Sequence, residues 1–161
     1  MVGAPERRRR LVDEVAALYD WLDAELGRNA DRAGRCTACG KCCDFAGYDH
    51  RLFVTAPELI YLATRLETTG LRDMVAGRCP YQDGTRCTVH AHRFASCRIF
   101  CCHGDPDLQS ELSEQAVARL RDLCERFDVP YSYTELSEAL ARFNADTCRS
   151  AGGPCPAGPG G

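Results

Sequence analysis

Lysine is nearly missing from this 161-residue chain, where Lys41 stands against nineteen arginines. Long apolar runs are missing too. None approaches the ~18 residues that would suggest a membrane span. Arg7 to Arg10 bring positive charge near the start, but Leu11-Val12 is followed at once by Asp13-Glu14. A secretory or twin-arginine signal needs an unbroken apolar stretch behind its charges. Neither signal is expected, and the reading is of a cytoplasmic protein. No internal repeat is present, and the formal charge of −3 offers no strongly basic surface. Phosphate backbones are bound by basic faces, so nucleic acid is not expected as a partner.

What the chain has in excess is cysteine. Twelve are present, nine of them between positions 36 and 102. In a secreted chain an even count would suggest disulfides, whereas clustered cysteines in a cytosolic protein point to metal binding or redox chemistry. Residues 36–43 read Cys-Thr-Ala-Cys-Gly-Lys-Cys-Cys. Two overlapping C-x-x-C steps put Cys36, Cys39 and Cys42 on one tight loop, as a metal ion or iron–sulfur cluster requires. Gly40 suits a turn that needs positive φ, and Cys43 adds a fourth sulfur. A second group follows at Cys79, Cys87, Cys97, Cys101 and Cys102. Arg35, Lys41, Arg78, Arg86, Arg93 and Arg98 flank the cysteines and would offset a centre of four thiolates and one divalent metal, about −2 by ligand counting.

The fold class expected is mainly α, a small helical domain around a loop-rich cysteine centre with little or no sheet. Leu11, Val15, Leu18, Tyr19, Leu22 and Leu26 form one apolar stripe on a helix over 5–29. Leu52-Phe53-Val54 is too short to classify. Thr55-x-x-Glu58 with Pro57 predicts a capped helix running through Leu66, and a shorter helical piece is expected around Leu71 to Ala76. Asp83-Gly84 predicts a turn that draws Cys79 and Cys87 together. A helical turn over 88–95 would then deliver Cys97, with Cys101 one turn on if the segment is helical. Leu112 to Phe127 and Ser132-x-x-Glu135 predict a C-terminal helical pair over 108–148. Residues 1–150 form one domain in this reading, with the cysteine core at 36–102 and a disordered Gly/Pro-rich tail at 151–161.

Cys36-x-x-Cys39-Gly-x-Cys42-Cys43, followed by Cys79-Pro-Tyr, Gly84-x-x-Cys87-x-Val, Arg93 and Cys97-Arg98-x-Phe100, resembles the CxxCxxCC cysteine-cluster family. That family's domain is described as zinc- or iron-chelating, and flagellin lysine N-methylase is a relative. The match spans about residues 36 to 102. Phe94 stands where the family usually has proline, and His90 where it often has an aromatic. The resemblance implies metal or cluster ligation by Cys36, Cys39, Cys42, Cys43, Cys79, Cys87 and Cys97, while Cys101, chosen over Cys102, rests on spacing alone.

Those eight sulfurs would serve two four-coordinate zinc sites or one iron–sulfur cluster with thiols to spare. The metal could staple the fold, or be handled as cargo or redox centre. A protein-modifying enzyme is the alternative the methylase relative suggests. Yet no G-x-G-x-x-G turn follows a strand-like run, and no radical-SAM C-x-x-x-C-x-x-C spacing occurs. A thiol redox protein would want a βαβ context for its C-x-x-C, which is missing here. No catalytic residue is assigned. Cys124 and Cys148 read as buried small hydrophobes, Cys155 as a free thiol in the tail, and His90, His92 and His103 as neighbours of the centre rather than ligands.

Overall fold

The structure is a computed structural model and describes residues 3–152. Helix α1 (Ala4–Arg28) and the one-turn α2 (Ala30–Ala33) lead into the cysteine loop. After it come strand β1 (Phe53–Thr55), helix α3 (Ala56–Arg65) and a hairpin of β2 (Gln82–Asp83) and β3 (Arg86–Cys87). The short helix α4 (Ala95–Ile99), the long α5 (Pro106–Phe127), strand β4 (Tyr133–Glu135) and α6 (Leu136–Ala151) complete the order. The fold is mainly α. Among the described residues its sheet is confined to two antiparallel pairs, β1 with β4 and β2 with β3. No described helix is long and apolar enough to cross a membrane.

The apolar stripe of α1 is buried as its periodicity demands. Leu11, Val15, Leu18, Tyr19 and Leu22 meet Leu108, Leu112, Ala116, Leu120 and Leu123 of α5, with Tyr61 of α3 and Ile99 of α4 closing the cluster. A second cluster gathers Leu52 and Val54 of the β1 region, Leu59, Leu62 and Ala63 of α3, and Leu136 and Leu140 of α6. Tyr81, Val89 and Phe94 extend it, and Cys79, Cys87 and Cys97 pack against its edge. Helix α3 faces both clusters and so joins them.

Several local expectations are corrected. Residues 71–76 form no helix: Asn144 of α6 takes up both backbone groups of Leu71, accepting from its N–H at 2.8 Å and donating to its carbonyl at 2.7 Å. Ala76 and Gly77 then turn with positive φ. Ser132 and Glu135 form no capping box, since residues 133–135 pair as a strand with Thr55 to Phe53. The hairpin loop is Gly84-Thr85, one residue beyond the Asp83-Gly84 expected, with Asp83 paired to Arg86. Helix α4 stops at Ile99 and Phe100 is extended, so Cys101 does not continue a helix from Cys97. Helix α6 runs on to Ala151, past the expected end at 148. The rest of the expected tail, 153–161 with Cys155, lies outside the described residues. Cys124 is buried at 2% exposure as expected. Cys148 is only half-buried and is disulfide-bonded, which an inert core hydrophobe would not be.

Candidate metal centre

Two remote segments are sewn together by main chain. The Cys79 N–H donates to the Cys43 carbonyl at 2.8 Å and the Ala46 N–H to Gly77 at 3.1 Å, while Arg78 pairs with Asp44 at 3.1 Å. Gly40, in the left-handed region at φ 77°, lays the C-x-x-C-G turn against the hairpin. Gln82 donates from Nε2 to the Gly40 carbonyl at 2.9 Å. Its Oε1 is buried and has no partner. No signal in the sequence marked Gln82 for this clasp.

This seam brings Cys42 and Cys43 to Cys79. Cys42 lies beside Cys43, and Cys43 beside Cys79, close enough for each thiol to perturb the next. Cys43, together with partial burial, pushes the Cys42 thiol far up. Cys43 is drawn down by Cys42, but Cys79, burial and its other sulfur neighbours carry it up to about 11. Cys79 is held below the ordinary thiol value by Cys43 despite burial. Cys97 is pushed well up by burial, then by Cys43 and Cys87. Five sulfurs, Cys42, Cys43, Cys79, Cys87 and Cys97, therefore share one neighbourhood drawn from three stretches of chain. Three of them are raised and Cys79 is lowered, and metal binding would expel whatever thiol protons the ligands carry.

The other expected ligands are Cys36, Cys39 and Cys101. Cys36 and Cys39 are exposed, with the Cys36 sulfur accepting from the Ala38 N–H at 3.4 Å. Cys101 is half-buried at the α2 end. An added Cβ on Gly34, two residues before Cys36, would stand 3.1 Å from its sulfur. Cys102 is exposed. His92 pairs with the Tyr61 hydroxyl at 3.3 Å, and His90 and His103 are exposed. Among the described residues, no three or more His, Cys, Asp or Glu side chains close around one point as a metal ion needs. The sulfurs are gathered, but they do not form a finished cage. Their donor set is soft thiol throughout, the chemistry that selects zinc, iron–sulfur clusters and copper(I) over harder ions.

Beneath the centre sits Glu58, 2% exposed. Its carboxylate accepts from the Thr55 N–H and hydroxyl at 2.9 Å each, from the Ala95 N–H at 2.8 Å and from the Tyr19 hydroxyl at 3.3 Å. Burial raises it above the ordinary carboxylate range, against the pull of those donors. The capping box legible in the sequence accounts for Thr55 but not for Ala95 or Tyr19.

No curated protein and no solved structure matches this chain. One family model does, over residues 35–125, more than half of the chain, described as a "putative zinc- or iron-chelating domain". The match begins beside the first cysteine of the loop, spans the seam, the hairpin and α4, and supports metal binding in general. The chain belongs to the CxxCxxCC family.

Proposed function

We propose that this protein binds zinc or iron through cysteine thiolates, and that the metal staples the cysteine loop and the 79–87 hairpin to α4. The observation that carries this reading is the meeting of Cys42, Cys43, Cys79, Cys87 and Cys97 from three separate segments on the edge of an apolar cluster. A loop-rich stretch stabilises itself poorly by burial alone, and a structural thiolate site contributes on the order of 10 kcal/mol to folding. Cys36, Cys39 and Cys101 complete the proposed ligand set, and the exposed Cys36 and Cys39 are thiols able to exchange metal. That supports a metal-handling role beside the structural one.

The test is anaerobic purification followed by measurement of metal and acid-labile sulfide per chain. Colourless protein holding zinc supports the staple. Brown protein holding iron and sulfide replaces it with an iron–sulfur centre and moves redox roles forward. Folded protein with no affinity for either metal refutes the proposal.

A further inference from the structure

We propose that Glu58 is the positioning residue of the metal centre, holding the start of α4 so that Cys97 meets the sulfurs of the cysteine loop and hairpin. The inference rests on the metal-binding reading above. Helix α4 has five residues and its N-cap, Phe94, offers no side-chain cap. So short a helix cannot fix its own ends, because its first N–H groups have no partners within it. Glu58 Oε1 supplies one from outside by accepting the Ala95 N–H, two residues before Cys97. The other oxygen is locked by Thr55, so the carboxylate cannot swing without breaking the start of α3.

A second brace leads back to the same frame. Arg98, next to Cys97, donates to the carbonyls of Arg93 at 2.9 Å and Ala91 at 3.0 Å, and to Asp23 of α1 at 2.7 Å. Its guanidinium lies 4.3 Å from the centre of the Tyr19 ring, whose hydroxyl donates to Glu58. Cys97 thus lies between Ala95, held by Glu58, and Arg98, and Tyr19 contacts both Glu58 and Arg98. A glutamine at 58 keeps the size but presents an NH2 in place of one oxygen. Whichever way it turns, the N–H of Thr55 or of Ala95 then faces a donor.

The experiment titrates cobalt(II) into the full chain as wild type, Glu58→Gln, Cys97→Ala and the double variant. Apparent affinity and thiolate-to-cobalt absorbance per bound metal are read. Groups that orient a ligand typically cost 10- to 100-fold in affinity when changed. Glu58→Gln is expected to weaken binding by about that factor and to lower the absorbance towards that of Cys97→Ala. In the Cys97→Ala background it should change affinity by no more than about 2-fold, as for a residue acting only through Cys97. An equal loss in both backgrounds, or no loss in either, overturns the inference while leaving the metal centre standing. Wild type that takes up no cobalt, or Cys97→Ala that behaves as wild type, overturns the metal reading at Cys97 and the inference with it. Should Glu58→Gln lack the wild-type helical circular dichroism, Tyr19→Phe runs the same cycle. It removes one donor to Glu58, keeps the ring under Arg98, and is judged by the same outcomes.

Discussion

Alanine at position 40 would test whether the cysteine loop must lie flat on the hairpin. Gly40 sits at φ 77°, ψ −1°, where a side chain costs about 1 kcal/mol. Its new Cβ would fall 2.7 Å from Gln82 Nε2 and 2.9 Å from the Thr85 Cα. The glutamine can swing aside only by giving up its 2.9 Å bond to the Gly40 carbonyl, worth about 1 kcal/mol. The Thr85 Cα is main chain and cannot swing, and such overpacking costs about 1–3 kcal/mol. Together these come to about 3–5 kcal/mol unless the loop lifts away. At roughly 1.4 kcal/mol per tenfold, the lower end predicts zinc affinity weaker by ~100-fold. Gly84→Ala is the control, because Gly84 also has positive φ at 60° but nothing lies within 4 Å of its added Cβ. It should carry the backbone cost of about 1 kcal/mol alone, roughly 5-fold. Zinc competition against a chromophoric chelator at fixed pH compares the three proteins. If Gly40→Ala binds as tightly as Gly84→Ala, the contact between loop and hairpin is not part of the binding geometry.

Leu62, fully buried in the cluster under the cysteines, should cost about 2–5 kcal/mol when cut to alanine. Urea unfolding of the metal-free protein reads this, and a loss below about 1 kcal/mol would mean that the cluster is not packed as described. Burial lowers His50, which packs 4.5 Å from the Phe100 ring and 5.9 Å from Phe45, below its ordinary value of 6.5. A base lowered in the folded state adds stability above that value and loses it as pH falls through the folded one. The urea midpoint should therefore drop on acidification below 6.5, and drop less in His50→Phe. Equal drops would remove His50 from the account. Arg78→Ala should change stability by no more than about 1 kcal/mol, because the Arg78 end of its ion pair with Asp44 is exposed. A larger loss would show that charge, rather than the main-chain seam, joins the two segments.

Local periodicity and capping were enough to read α1, α3 and α5, because apolar spacing along one face needs no knowledge of the partner. The density of Cys36, Cys39, Cys42 and Cys43 was likewise legible, as was a turn between Cys79 and Cys87. Tertiary structure decided what depends on remote groups. Residues 133–135 are a strand because Phe53 to Thr55 lie beside them. Leu71 lies outside any helix because an asparagine 73 residues away satisfies its backbone. The partition of the cysteines belongs to the same class. Sequence spacing ties Cys36, Cys39 and Cys42 together, yet the fold sets Cys42 and Cys43 beside Cys79, and only the seam from 43–46 to 77–79 puts them there. The roles of Glu58 and Gln82 were hidden for the same reason. A side chain's chemistry is written at its own position, but its partners are chosen by how distant backbone pairs.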